Sequence, residues 1–596
     1  MTRSPEPYDV AILGGGLAGL TLARHLLLDT DKRIVLFDRR DELPAPDQKY
    51  GEATVQASGY YYSRVLDLQE HLMLEHYMKY NLRFYWKTPG RSNRDFEDYS
   101  QSYIRKLSNI VTYQLDRNKI EAELLRLNRE NPRFTFVNST TEFDVEIHPE
   151  GKHAISCTTP GGKREFDVDW FVDSSGRARW FAKRMGMQRE SPIQHGSSFM
   201  WVEGLLDIER LTSRSWKEVR LRRERNRLGH VPSFLATNHF CEEGLWLWVI
   251  PLHGITSIGL VYDHKVVNRL DVRSAEKLTE WICEHFPCFA HDLPQRKVVH
   301  WSGLTSYAHD CVRTIDRDRW AMCGEAGRFT DPLYSPGGDL ISIYNTLITD
   351  AIKSTNREEL EKKTRTYESV MRAVYEAYVP SFALSYDCLG DQEAFSLKYV
   401  WELTIYFAYY VFPMINDLFT NHAVLPTFLA WFGRLGPLNS MLQRLLSDYF
   451  QWKKTQPHGV AGVPRDPVFF DFIEAGALAS AETTFYEVGV TPEEAKEVLA
   501  TQLRNLEELA RFIVAWVAAA VVGEPALVRN RAFVEGFDLA SVKFDPAAFA
   551  TQAAAAKNSA EHYDWRNCVK AFERMGMELK GMPAMRGMAP AMSMES

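Results

Sequence analysis

Residues 8–38 read YDVAILGGGLAGLTLARHLLLDTDKRIVLFD, and this stretch decides the fold. Its opening residues are apolar enough for a buried strand. Residues 17–28 carry the spacing of a helix, and 33–37 form a second short apolar run. Strand, glycine turn, helix and strand in that order make a β-α-β unit. The turn is Gly14-Gly15-Gly16-Leu17-Ala18-Gly19. Gly14 permits the tight bend, Gly16 lets a pyrophosphate approach the backbone, and Gly19 lets helix and strand pack closely. The helix start, including Ala18, offers unpaired N–H groups and a positive dipole end to phosphate. Asp38 closes the second strand and can accept hydrogen bonds from ribose hydroxyls. The unit reads as a dinucleotide site.

Outward from it, the chain of 596 residues exceeds what one core usually holds. Strands are expected at 134–137, 154–158 and 166–173, with longer antiparallel strands at 196–204 and 244–263. A further strand at 320–323 runs into a loop rich in Gly and Pro. From about residue 340 the spacing turns helical, over 340–352, 358–379, 397–450 and 491–522. Residues 581–596, rich in Met, Ala and Pro without periodicity, read as a disordered tail. These readings divide the chain into a core over 1–340, a helical region over 341–580, and the tail.

A net charge of −8 argues against nucleic acid as a general partner. The eight cysteines show no metal-ligand spacing and are expected to be reduced thiols, with no metal site. His285 and His291 lack ligand-like companions and are expected to be structural. The apolar run 512–522 is too short to span a bilayer, and 397–415 is interrupted by Lys398 and Glu402. The N-terminus shows no export signal, so a cytoplasmic protein is expected.

Two later segments point from NAD to FAD. Asp173-Ser174-Ser175-Gly176 ends one strand, and Gly324-Glu325-Ala326-Gly327 with Asp331-Pro332 follows another. Together they resemble the second and third nucleotide-contact segments of FAD-dependent monooxygenase-type proteins. Gly51-Glu52-Ala53-Thr54-Val55 and Trp246-Leu247-Trp248-Val249-Ile250-Pro251 narrow the likeness. The first matches the GEATV segment, and the second the W-x-W-x-I-P signature, of flavin-dependent halogenases. Lys79, flanked by aromatics and followed by Arg83, resembles that family's catalytic lysine.

The resemblance implies a role for each segment. Gly14, Gly16, Ala18, Gly19, Asp38, Glu52, Ala53, Asp173, Gly324, Glu325 and Gly338 would hold FAD. Reduced FAD would come from a separate flavin reductase, since the chain shows one dinucleotide fingerprint only. With O₂ and chloride or bromide the cofactor would yield hypohalous acid, which Lys79 would position beside the substrate. Trp246 and Trp248, on one face of a strand, would wall the flavin from that substrate.

Departures from the family pattern matter as much. Tyr334 stands where tryptophan halogenases carry glutamate, which argues against free tryptophan as substrate. The family's halide lies near two backbone N–H groups that align with Pro336 and Gly337, and proline has none. Ser335 and Gly337 remain halide candidates, with Gly338 or a side chain replacing the lost donor. Gln56 follows GEATV where proline is common, and Glu325 replaces the usual aspartate. Residues 210–227 are basic, with only Glu218 and Glu224 opposing, which suggests either a solvated face or a dock for an acidic carrier protein.

The expected architecture is α/β. It comprises a Rossmann-type FAD-binding three-layer core, an antiparallel substrate-side sheet and a mostly helical C-terminal region. The expected function is halogenation of an electron-rich, aromatic substrate, free or carrier-tethered. A halide-independent monooxygenase or oxidase on the same fold is the alternative that Pro336 favours. A non-catalytic flavoprotein that binds a partner is the second.

Overall fold

The computed structural model describes residues 5–44, 47–219, 232–456, 466–565 and 572. Residues 220–227 of the basic run, Cys568 and the 581–596 tail lie outside the described residues.

The quoted stretch folds as strand Glu6–Leu13, helix Leu17–Asp29 and strand Ile34–Phe37. Ile34–Phe37 is wholly buried, Glu6–Leu13 is buried at Tyr8, Val10, Ala11 and Ile12, and the two pair in parallel with Leu13 opposite Phe37. Glu6–Leu13 pairs on its other side with Gly162–Asp173, and that strand pairs with Trp320–Met322, again in parallel. Phe134–Val137 extends the sheet beyond Ile34–Phe37. The register sets Leu13 against Asp173 and Asp173 against Met322. Four strands therefore end at one level. The glycine turn, Asp38, the Ser174 loop and the Gly324 turn all emerge along the same edge, where open α/β sheets take their ligands.

Close packing at that edge depends on two glycines. Gly14 has φ +111°, and a Cβ there would lie 2.4 Å from the Ser174 carbonyl oxygen. A Cβ on Gly19 would lie 2.1 Å from the Gly14 carbonyl oxygen and 2.5 Å from Ser174 Oγ. That hydroxyl donates to the carbonyls of Leu13 and Gly14 at 3.0 Å each, tying the third strand to the turn.

The chain forms a second eight-stranded sheet. His195–Glu203, Ile255–Asp263, Leu245–Leu252 and Thr237–Glu242 form its antiparallel centre. It is parallel at two joins, between Thr237–Glu242 and Leu82–Lys87 and between Tyr99–Tyr103 and Phe469–Asp471. The last of these strands comes from the otherwise helical C-terminal part, which the sequence pattern did not reveal. A small ribbon pairs Tyr77–Lys79 with Thr112–Gln114, and Ala53 bridges to Gln114.

From Pro336–Ile352 onward the chain is mostly helical, with long helices at Arg357–Glu376, Leu425–Thr455 and Pro492–Val522. The single helix expected over 397–450 is in fact broken. Gln392–Tyr406 continues through one π-helical segment to Ile415, and a turn then precedes Leu425. Asp417 takes φ +54° in that turn, a conformation its short polar side chain tolerates. Among the described residues, no helix is long and apolar enough to cross a membrane. One buried apolar cluster runs from Val10 of the first strand through Tyr344 to Phe512 of the longest helices.

Gly19→Ala inserts a methyl group 2.1 Å from the Gly14 carbonyl oxygen, a backbone atom that cannot easily move aside. It is expected to cost about 1–3 kcal/mol or more of stability and to weaken dinucleotide binding. Urea unfolding and flavin absorbance of the purified variant would measure the two effects.

Candidate active site

At the sheet edge the glycine turn is held by Asp38. Its Oδ2 accepts from the Gly15 N–H at 2.7 Å and from Arg40 Nη2 at 2.7 Å. Its Oδ1 accepts from Arg40 N and Nε, both at 2.9 Å. Burial alone would raise this carboxyl, but the Arg40 hydrogen bonds outweigh it and hold the pKa below the ordinary value. All four acceptor positions are thus engaged, and a ribose hydroxyl must displace one of Arg40's bonds to reach Asp38. Asp173 is fully buried and accepts from the N–H groups of Ser175 and Phe181, each at 2.8 Å. Its carboxylate shapes the loop after the strand. Gly324 (φ +61°) packs against Ala18, where an added Cβ would meet the alanine methyl at 3.1 Å.

Beside this edge lies a cavity lined by Tyr50, Glu52, Ala53, Glu325, Gly337 and Gly338. Trp246 and Trp248 line it as well, their ring centroids 5.8 Å apart. Trp246 Nε1 donates to Tyr386 Oη at 2.6 Å, Tyr386 donates to Asp331 Oδ2 at 3.1 Å, and Asp331 meets His195 Nδ1 at 2.6 Å. Trp248 Nε1 donates to Ser257 Oγ at 3.0 Å. Both indoles are therefore fixed in orientation. Burial raises Glu52 to about 8, so it is protonated at neutral pH, and Trp201 Nε1 donates to its Oε1. Glu325 is likewise raised by burial and accepts from the Tyr50 hydroxyl at 3.0 Å.

These features fit FAD. Nothing lies within 4 Å of where a Cβ on Gly16 would stand, so the backbone there is open to a phosphate. Arg117, which lines the cavity and which sequence reading missed, keeps a buried Nε with no hydrogen-bond partner. Arg177 Nη1 is unpartnered in the same way.

A second cavity shares no lining residue with the first. The two meet along the chain, Ala53 in one being followed by Val55 in the other, and Ser335 by Tyr334. Lys79 lines the second cavity and its Nζ donates to the Thr54 carbonyl at 2.5 Å. Thr54 lies between Ala53 and Val55, so the amine is anchored to the partition itself. The ribbon explains the contact. Thr54 N donates to the Tyr113 carbonyl at 2.9 Å, while Lys79 pairs with Thr112 on the other side of that strand.

The helix that begins at Pro336 forms the rest of the partition. Tyr334 and Ser335 both take left-handed φ, +70° and +59°, and turn the chain into it. Proline at the first helical position gives up an N–H that a helix leaves unpaired in any case. The first-turn N–H groups of Gly337 and Gly338 remain, and both residues line the FAD-side cavity. Asp339 follows. It is fully buried, accepts from Ser58 N at 2.8 Å through Oδ1, and has no partner at Oδ2. Burial pushes Asp339 up to about 7. Burial likewise pulls Lys79 down to about 7, opposed by the charge of Asp339.

Most of the second cavity's wall comes from C-terminal helices that carry no recognised motif. Tyr378, Tyr399, Tyr406, Phe407 and Tyr410 contribute, and so does Glu402. The one signal for Glu402 was its i,i+4 spacing from Lys398 in an otherwise apolar segment. His285 and His291 lie elsewhere. His285 Nδ1 is 3.2 Å from Glu242, and His291 Nε2 is 3.0 Å from the Arg94 carbonyl. Among the described residues no His, Cys, Asp or Glu group could hold a metal, and the seven described cysteines are unpaired.

Fold and site define the class, which is an FAD-dependent oxidoreductase. Its curated relatives are flavin-dependent halogenases. The chain is 25% identical over 463 residues to flavin-dependent halogenase chlA of Dictyostelium discoideum, covering 70% of this chain and 73% of that one. It is 21% identical over 389 residues to a 1H-pyrrole-2-carbonyl peptidyl-carrier-protein chlorinase of Pseudomonas fluorescens, covering 62% and 81%. Among solved structures, halogenase PltM in complex with phloroglucinol and FAD shares the fold. Its TM-score is 0.56 at 14% identity, covering 85% of this chain and 96% of that one. No family model matches the chain.

The buried amine carries a pH signature. Its pKa is below that of an unfolded lysine, so the unfolded chain binds the proton more readily between about pH 7 and 10. Lys79 therefore destabilises the fold fully below pH 7, and the penalty fades as pH rises. Lys79→Met is expected to be more stable than the parent at pH 6. The gap should narrow above pH 7 by up to about 1.4 kcal/mol per pH unit. Urea unfolding of both proteins at pH 6 and pH 9 would measure it, and a gap that widened with pH would contradict the burial of a charged amine.

Proposed function

We propose that this chain halogenates an electron-rich aromatic substrate with chloride or bromide, acting in the cytoplasm beside a flavin reductase. When bound in reduced form with O₂ and halide, FAD supplies hypohalous acid. The observation that carries the reading is the position of Lys79. Its amine is buried at the partition between a cavity walled by Trp246 and Trp248 and a separate cavity walled by aromatic rings.

Each group then has a task. Gly14, Gly16, Ala18, Gly19, Asp38, Asp173 and Gly324 build the edge that receives the dinucleotide, with Arg117 as an added donor. Glu52, Ala53 and Glu325 line its flavin end. Trp246 and Trp248 keep the organic substrate away from the flavin, so that halide is oxidised first. Gly337 and Gly338 supply backbone donors for halide next to Ser335, which answers the loss of the Pro336 N–H. Lys79, a hydrogen-bond donor already aimed at the partition, holds the hypohalous acid where it enters the second cavity. The charge of Asp339 opposes the burial that lowers Lys79 and so helps keep the amine protonated. Residues 1–340 would thus serve the cofactor, and 341–580 would shape access for the substrate. Residues 210–227 could receive an acidic carrier protein, and the relation to a carrier-protein chlorinase supports testing tethered substrates.

The test is mass spectrometry of an assay with purified protein, FAD, a flavin reductase, NADH and O₂, in otherwise halide-free buffer. Chloride or bromide is added separately, with phenols, indoles, pyrroles and carrier-tethered acyl groups as substrates. A product with the halogen isotope pattern is expected. Lys79→Ala should lower its formation by at least about 100-fold while FAD binding persists. An oxygenated or dehydrogenated product that ignores halide would overturn the proposal and favour the monooxygenase reading.

A further inference from the structure

Within the second cavity one carboxylate is left half used. Glu402 Oε1 accepts from Lys398 Nζ at 2.5 Å and from Gln443 Nε2 at 2.9 Å. Lys398 is fully buried and also donates to the Ser381 carbonyl at 2.7 Å and to Gln443 Oε1 at 3.1 Å. Gln443 is fixed in turn by Asn439 Oδ1 at 2.9 Å and by the Ser385 hydroxyl at 2.5 Å. The network holds one oxygen of Glu402 rigidly and pairs its charge. The other oxygen, Oε2, is buried and makes no hydrogen bond of ordinary length. The hydroxyl of Tyr334 is buried and likewise makes no hydrogen bond of ordinary length, and burial, the Glu402 charge and its weak interaction with that carboxylate all suppress its ionisation. A buried carboxylate oxygen without a donor is costly, and native proteins keep few of them except where a ligand completes the bond.

We infer that Glu402 is the specificity-determining residue of the aromatic cavity: its free oxygen, with the Tyr334 hydroxyl beside it, receives a hydrogen-bond donor carried by the substrate ring. The class of substrate follows from the acceptor. It is an aromatic ring with an O–H or ring N–H, and not one that presents an anion at that end. Lys79 lines the same cavity. Binding the donor at Glu402 fixes which ring carbons can face the amine, so the carboxylate governs regiochemistry as well as selection. In tryptophan halogenases, as noted above, a glutamate stands at the loop position of Tyr334. In this chain the carboxylate comes instead from a C-terminal helix, with tyrosine in the loop. The inference rests on the second cavity being the substrate site, as proposed above.

Calorimetric binding to the FAD-loaded protein tests it without turnover. The probes are resorcinol and 1,3-dimethoxybenzene, with indole and 1-methylindole as a second pair. At least one donor-bearing probe should bind about tenfold more tightly than its methylated partner, or about 1.4 kcal/mol. Glu402→Gln should reduce that ratio to less than about threefold, whereas Lys79→Ala should leave it unchanged. Because Glu402→Gln leaves Lys398 without its counter-charge, the double variant Lys398→Met with Glu402→Gln is measured too, and its ratio should collapse in the same way. Equal binding within both pairs in the parent protein, or a ratio that survives in a folded variant, would overturn the inference. Halogenated product with no such discrimination would refute the role of Glu402 and leave the halogenase reading standing. Discrimination without halogenated product would do the reverse.

Discussion

Because Leu13 pairs in parallel with both Phe37 and Asp173, and Asp173 with Met322, four strands stop at one level. Everything the chain does with a cofactor depends on that alignment. It gathers segments separated by more than three hundred positions along a single edge, and it leaves no room there for side chains at Gly14 or Gly19. The contact between Gly19 and the Gly14 carbonyl sets how closely the first helix approaches the sheet. That in turn places the free N–H groups of the helix where a pyrophosphate can meet them.

The second constraint is a partition rather than a pocket. Two stretches of backbone, Ala53–Thr54–Val55 and Tyr334–Ser335, lie between the cavity lined by Trp246 and Trp248 and the one lined by Tyr378, Tyr399 and Tyr406. Lys79 is bound to the first stretch through the Thr54 carbonyl, and Asp339 stands behind the second. Burying an amine and a carboxyl so that both titrate near 7 opposes folding, and such groups concentrate where chemistry needs them.

The wall opposite that partition is made by helices from the C-terminal part, and its polar groups are organised by a buried network. Lys398, Glu402 and Gln443 satisfy one another except at Glu402 Oε2. A cavity lined mostly by aromatic rings offers few polar handles, so an isolated acceptor has a large influence on how a ligand lies.

The sequence by itself determined the dinucleotide unit, since a strand, a glycine turn and a helix have a local geometry that a short window encodes. It also determined the shared strand face of Trp246 and Trp248, because a period of two is a local signal, whereas the burial of Lys79 came from the tertiary structure. It showed Asp38 and Asp173 as acidic residues at strand ends but not that their oxygens are engaged by Arg40, Gly15, Ser175 and Phe181. Pro336 read as the loss of a donor. Only its place at the first turn of a helix reveals that the amides of Gly337 and Gly338 remain. Lys398 and Glu402 read as charges that interrupt an apolar run. Tertiary structure alone decided that they close a network with Gln443, because that partner lies on another helix and nothing in the local spacing of either helix specifies which faces will meet.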